Sequence, residues 1–293
     1  MSEHTLAVVS DVPDASPKKR VADLLAAVRA HRAEFEAGGA LAEEMRTLPP
    51  STVSSLRSLG LFWLKTPAEF GGTPLTPIEF CDVLEVIDTW HVAGLQGTGS
   101  LDFRLSDLFV PSSMTYVRGG PAVRGGALFK QPGHLFVDNE VPPLAIGLAR
   151  RALADIAALA GQTTRLPGGV TLAERAAFHK DLGRAWIRVR AARAAHREAI
   201  AAAWAVTAAN GEVPTALLTA ATTASVYAVE TCADVVTDLF RYGGGRALSL
   251  SSPLQRHLRD ALAARQHVSV SEEHYETAGR ELLQSRKAAA QVE

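Results

Sequence analysis

The chain has 293 residues, 47% of them hydrophobic, and a formal net charge of −1. That length and apolar content can bury one large core or two smaller ones, which excludes a disordered tail, and so balanced a charge offers no overall attraction to nucleic acid or anionic lipid. Two cysteines, Cys81 and Cys232, stand far apart within helix-like patterns, which excludes a disulfide framework or a cysteine-rich metal site.

In chain order, residues 1–16 are mixed and polar, after which Val21, Leu24, Leu25, Val28 and Phe35 recur at helical spacing, so a helix is predicted to start near Pro17. A second helix is framed by Pro50-Ser51 and by Gly60-Leu61, with Gly60 as the left-handed residue of a Schellman stop. Residues 67–72, Pro-Ala-Glu-Phe-Gly-Gly, read as a turn. Thr76 with Glu79 forms a capping box that opens a helix carrying Phe80, Val83, Leu84 and Ile87 on one face. From Asp88 to about Val137 the texture changes to short β signals, among them Leu101, Phe103 and Leu105 alternating with Asp102, Arg104 and Ser106. So few strands bury a face only by packing on helices.

Beyond Pro142 the pattern is almost all helical. Helices are predicted over 143–160, 172–209 and 214–240, then from Ser252, then over about 272–287. Their breaks are Gly161, residues 166–169 (Leu-Pro-Gly-Gly), Asn210-Gly211 and Gly243-Gly244-Gly245. Long helices joined by short loops imply a bundle, and its many alanines permit close approach. No stretch reaches the roughly 20 apolar residues that span a bilayer, and no signal-peptide pattern opens the chain, so the expectation is a soluble cytoplasmic protein.

The segment from Ser252 to His267 is the most informative. Ser252, Pro253 and Gln255 have the form of an N-cap, an N1 proline and a capping-box partner. At about 100° per residue, Leu254, Leu258, Ala261 and Leu262 form an apolar stripe, with Arg256, Asp260 and His267 on the opposite side. Two readings of that polar side stay open: a solvated face, or one on which Ala263 and Ala264 leave room for a flat ligand.

Other features have plain structural readings beside functional ones. Arg184, Arg188, Arg190, Arg193 and Arg197 spread over several helix faces, as a solvated or interface surface does, rather than forming a phosphate or nucleic-acid stripe. The remaining histidines lack H-x-x-x-H or H-E-x-x-H spacing, so no histidine-metal site is expected. Residues 94–100 are glycine-rich but match neither G-x-G-x-x-G nor a Walker loop, and default to a tight turn. Gly243 and Gly244 read as a helix stop whose exposed N–H groups could also receive a phosphate.

Taken in order, three blocks resemble the acyl-CoA dehydrogenase superfamily. Residues 48–72, through Leu59-Gly60-Leu61 to Gly72, look like its N-terminal helical domain. Residues 90–111, from Trp90-His91 to Val110-Pro111, look like the close of its central β domain. Residues 137–283 are similar to its C-terminal helical bundle. The expected fold is mainly α, an acyl-CoA dehydrogenase-like helical bundle with N-terminal helices and a truncated central β segment. Its domains are a partial N-terminal helical domain over 1–87, a β remnant over 88–137 and the bundle over 138–293.

The ending from Arg259-Asp260 to Gln266-His267 resembles the two-component flavin monooxygenase branch. The resemblance implies a flavin-dependent oxidoreductase, using reduced FAD or FMN from a flavin reductase and dioxygen to oxidise a small organic substrate. It implies a homo-oligomer of two or four copies, while the balanced charge leads to the expectation of no nucleic-acid or membrane partner. It makes His267 the catalytic residue beside the flavin, a role suited to an imidazole near neutral pH. It makes Trp90 a flank of the isoalloxazine ring, where packing within the β segment is the alternative, and brings Gly243 and Gly244 of a neighbouring subunit to the phosphate or adenine end. Arg259 and Asp260 are expected to form an ion pair within the bundle.

A dehydrogenase of the same superfamily is an alternative, although its glutamate would fall at Val268, which cannot take a proton. The family plan also continues through further helices into a full β domain, whereas this sequence passes directly from Ile87 to Asp88-Thr89-Trp90. About one domain, roughly 100 residues, is absent by comparison, with loops that in the family hold one side of the flavin. A non-catalytic truncated paralogue is therefore the third reading.

Overall fold

The computed structural model describes residues 17–45, 48–64, 125–138, 140–162 and 169–290. Trp90, Cys81, the predicted helix from Thr76, the glycine-rich residues 94–100 and the alternation at 101–106 lie outside them. The N-terminal part holds α1 (Pro17–Ala30), α2 (Arg32–Met45) and α3 (Pro50–Ser58). The run read as one helix breaks at His31, whose amide is shared between the carbonyls of Ala27 and Val28 at 3.3 and 3.1 Å. Gly60 ends the third helix at φ 75°, as its sequence position implied. Val21, Val28, Phe35, Leu56, Leu61 and Leu64 pack into a small core of their own.

The larger part is a helical bundle. It begins with a 3-10 turn (Ala127–Lys130) and α4 (Gly133–Asp138), and continues through α5 (Val141–Ala160), α6 (Ala176–Ala208), α7 (Thr215–Phe240), α8 (Pro253–Ala264) and α9 (Glu273–Ala290). Residues 127–138, the close of the stretch expected as β, are thus helical. The reason is visible in the spacing: Leu128 and Leu135 are seven apart and both buried, and the rings of Phe129 and Phe136 meet at a tilt, their centroids 6.2 Å apart. Leu135 joins Ile200, Ala203, Val213 and Ala221 in a shared cluster, so this end of the segment is packed as part of the bundle. Lys130 also donates to Asn210 Oδ1 at 2.8 Å, in the turn between α6 and α7.

The central element is α7, which packs on α5, α6, α8 and α9. A helix with neighbours on nearly all sides must be small and apolar all round. Its buried residues are alanines, valines, threonines, Ser225, Cys232 and Leu239. The hydroxyls turn back onto their own helix, Thr222 to Leu218 O at 3.0 Å and Ser225 to Ala221 O at 2.9 Å, so burial leaves neither donor unmet. The 33-residue α6, about 50 Å long, instead buries one stripe through Phe178, Ala185, Val189, Ala192, His196, Ile200, Ala203 and Thr207. Its opposite side exposes Trp186 and Ile187. Among the described residues, no helix is long and apolar enough to cross a membrane.

Candidate functional site

α8 starts as its sequence indicates. Ser252 Oγ accepts the Leu254 amide at 3.3 Å, and Pro253 occupies the first turn. Gln255, however, does not close a capping box: its amide nitrogen donates to the carbonyls of Leu250 and Ser252, both at 3.2 Å. That interaction pins the incoming loop to the helix start.

The facing of α8 differs from the helical-wheel expectation. Leu254 and Ala261 are buried, but Leu262 is 45% exposed and Asp260 only 6% exposed, and the buried arc takes in His257 and Ala264. α8 packs against both α5 and α7, so the arc it must bury is wider than one apolar stripe and includes polar residues. Arg259 Nε donates to Gln255 Oε1 at 2.8 Å, an i−4 contact along the helix.

His257, fully buried, faces α5 and donates from Nε2 to Asp155 Oδ2 at 2.8 Å. Asp155 Oδ1 accepts from Arg151 Nε at 3.0 Å, and Arg151 Nη1 reaches Glu36 of α2, which also accepts from Arg32 at 2.8 Å. Burial acts to raise the Asp155 carboxyl, but the hydrogen bond from His257 and the Arg151 charge together hold it below the ordinary aspartate value. Glu36 is likewise lowered: the bonds and charges of Arg32 and Arg151 outweigh its desolvation. Arg151 is raised despite its own burial, by Glu36 and Asp155. Sequence reasoning missed this chain of charges. The i,i+4 spacing of Arg151 and Asp155 was a local signal for part of it, whereas the pairing with His257 depends on how the helices dock.

The helix ends at Ala264, with Arg265 as its C-cap, so His267 lies beyond α8 and not on its polar face. It is exposed, and it caps a 3-10 turn over Val268–Val270. Arg265 anchors the exit: its guanidinium pairs with Asp234 at 3.3 Å and Glu230 at 3.5 Å on α7, and with Glu272 at 3.6 Å. Glu230 also accepts from Tyr275 at 2.9 Å, and burial followed by that bond pushes the Tyr275 phenol well up. The stretch carrying His267 is therefore tied to α7 and to Glu272, the residue that precedes α9. Beside the imidazole, Val268 is 82% exposed, and Leu262 is exposed in the last turn of α8. His267 and Val268, adjacent in the chain and both exposed, offer one polar and one apolar group, chemistry compatible with the edge of a flat, amphipathic heterocycle such as a flavin.

Gly243 and Gly244 lie in a 3-10 segment (Arg241–Leu248) between α7 and α8. A Cβ on Gly243 would meet Ala247 Cβ at 2.6 Å and Leu254 Cδ1 at 2.8 Å, so close packing on the start of α8 suffices to explain this glycine. Gly244 is exposed with φ 57° and ψ −154°, a conformation open essentially to glycine alone. The segment is fixed by Asp181, which accepts from Tyr242 at 2.5 Å and Arg241 at 2.7 Å. The bond from Tyr242 is the main cause that lowers the Asp181 carboxyl. The glycines and His267 stand at opposite ends of the 12-residue α8, about 18 Å apart along its axis. The structure does not bring them onto one small ring.

Of the α6 arginines, Arg188 reaches across to α7, whereas Arg190 is exposed. Arg188 pairs with Asp234 and Asp238 at 3.3 and 3.0 Å, and Arg190 lies 4.5 Å over the Trp186 ring. Among the described residues no group of three or more His, Cys, Asp or Glu side chains could hold a metal ion.

Residues 142–272 match the sequence profile of the acyl-CoA dehydrogenase C-terminal domain. The chain is 30% identical over 192 residues to the indole-3-acetate monooxygenase of Pseudomonas putida, covering 66% of this chain and 49% of that protein. It is 30% identical over 224 residues to the flavin-dependent monooxygenase oxygenase subunit HsaA of Mycobacterium tuberculosis, covering 69% and 53%. The chain thus spans about half the length of the curated relatives it matches. Among solved structures, XiaF from a Streptomyces species in complex with FADH2 and glycerol superposes with a TM-score of 0.79 at 17% identity, over 91% of this chain and 96% of that one. The M. tuberculosis HsaA monooxygenase superposes with a TM-score of 0.76 at 20% identity, over 90% and 97%. At those identities the superpositions establish a common fold.

Proposed function

We propose that this chain, whose residues 142–272 match the acyl-CoA dehydrogenase C-terminal domain, is the oxygenase component of a two-component flavin-dependent monooxygenase, acting on a small organic substrate. One observation carries the reading: the segment leaving α8 presents an exposed imidazole, His267, followed by a valine that offers no carboxylate. The relatives named as monooxygenases support it. A bound reduced flavin, supplied by a separate reductase, would provide the electrons that activate dioxygen. The chain's own contribution is positional and protonic. The Arg265 ion pairs hold the segment, Val268 and Leu262 offer apolar surface, and His267 handles a proton at the reacting centre.

The flavin is FAD or FMN, with Gly243 and Gly244 of a neighbouring subunit proposed at its phosphate or adenine end. Trp90 is proposed as the ring flank. A homo-oligomer of two or four copies in the cytoplasm completes the reading. Exposed Trp186, Ile187, Leu282 and Leu283 favour self-association, since large apolar side chains are seldom left wet in such number.

The deciding measurement is a visible absorption spectrum after incubation with FAD or FMN and gel filtration, which reports cofactor retention and assembly size together. Retained flavin is expected. So are oxygen consumption and oxidised product when reduced flavin and an aromatic substrate are supplied, with product formation falling by roughly 10²-fold or more in His267→Ala. A chain that retains no flavin and forms no product would instead be the non-catalytic paralogue suggested by the direct passage from Ile87 to Asp88.

A further inference from the structure

The backbone on both sides of His267 is fixed. Its amide bonds to Ala264 O at 3.2 Å, and its carbonyl accepts from Val270 at 3.0 Å. With φ −69° and ψ 137° it stands as the N-cap of the following turn, a position usually held by Ser, Thr, Asp or Asn because their side chains accept a hydrogen bond there. His267 performs the same task with a ring nitrogen: Nδ1 lies 3.2 Å from the Ser269 amide nitrogen and 2.7 Å from Ser269 Oγ.

A backbone N–H can only donate. Nδ1 must therefore present its lone pair, since a proton there would point at the amide hydrogen. The Ser269 hydroxyl, a rotor able to donate or accept, donates to the same lone pair. A neutral imidazole carries one ring proton, and that proton is left for Nε2. We propose that Ser269 is a positioning residue that holds His267 as its Nε2–H tautomer, so that the ring offers a hydrogen-bond donor, not a base, to an oxygen of the reactants.

The inference rests on His267 being the proton-handling group proposed above, and it narrows that role. For Nε2 to accept a proton, its own proton must first leave, or shift to Nδ1 with loss of the cap. A fixed donor suits a substrate oxygen that is already anionic, as in a phenolate or enolate, because that oxygen accepts the Nε2–H without having to give a proton to the ring, and selects for substrates carrying such an oxygen.

The test uses the full chain with 15N-labelled histidine at alkaline pH, where imidazoles are neutral. The His267 signals are identified by their disappearance in His267→Gln. The expected result is a proton-bearing Nε2 and a bare Nδ1, shifting part of the way toward an averaged pair in Ser269→Ala, which removes the 2.7 Å hydroxyl contact and leaves the 3.2 Å amide contact alone to hold the tautomer. A protonated Nδ1 in the unsubstituted chain overturns the proposal, as does a Ser269→Ala spectrum that does not move. In turnover, His267→Gln, whose amide nitrogen reaches near the Nε2 position as a donor, keeps activity within about tenfold of the original, the scale of one hydrogen bond. His267→Asn retains the cap but withdraws the donor, and falls much further. Equal losses in the two would also overturn the assignment. If His267→Ala were fully active, the functional reading would fall while the tautomer, read by resonance alone, would stand.

Discussion

Asp155 accepts from His257 on one oxygen and from Arg151 on the other, in a site where His257 has no solvent contact at all. Removing one member of such a pair leaves its partner desolvated and unmatched, which costs more than the pair itself contributes. Asp155→Ala is expected to destabilise the bundle by roughly 3 kcal/mol, measured by urea unfolding. The pH dependence follows from the direction of the shifts. Asp155 and Glu36 both titrate below their unfolded values of 3.8 and 4.5. Their contribution is therefore complete above the unfolded values and lost as the pH falls through the folded ones. Thermal melts of the unsubstituted chain should drop steeply as pH is lowered below about 4.5, and more shallowly in Asp155→Asn, which starts lower. An identical pH slope in both would show that Asp155 does not carry this linkage. His257 itself was hidden from the helical wheel because histidine is counted polar, and its burial becomes favourable only when a carboxylate from another helix meets it.

At the scale of elements, helix ends are governed by residues adjacent in sequence. Pro50, Gly60, Asn210 and Ser252 all lie where their backbone preferences place them, with Gly60 at φ 75° and Asn210 at φ 58°. Ser252→Ala should cost about 1 kcal/mol through loss of the cap. Gly244→Ala should cost on the order of 1–3 kcal/mol, because the alanine would be held where only glycine is comfortable. Calorimetry of the two variants ranks them, and a Gly244→Ala protein as stable as the original would mean that this backbone relaxes without penalty. The same local rules failed at 127–138, where β signals were read but two aromatics and two leucines seven residues apart pack as helix. So short a segment takes its conformation from the bundle that covers it. They failed again in the last turns of α8, where helical periodicity was carried through to His267 although the helix stops at Ala264. No glycine or proline marks that stop, so sequence punctuation could not reveal it.

For the whole molecule, the described N-terminal helices have their own small core, and Glu36–Arg151 joins them to the bundle. The pair is partly exposed, so Glu36→Ala should change global stability by no more than about 1 kcal/mol. It should nonetheless speed hydrogen exchange in α2 while leaving α7 protected, since regions with few shared contacts open independently. Uniform acceleration across both parts would show that they unfold as one unit. The sequence by itself determined where the bundle's long helices α5, α6 and α7 lie and where α8 starts, because caps, prolines, glycines and apolar spacing act over a few residues. It also carried the family resemblance that residues 142–272 bear out. Only the tertiary structure decided which arc of α8 is buried, that His257 meets an aspartate 102 residues away, and that His267 stands off the helix as a cap with Nδ1 occupied. Those outcomes depend on how helices dock against one another, and a side chain's partner across such an interface is not encoded by spacing along its own strand of sequence.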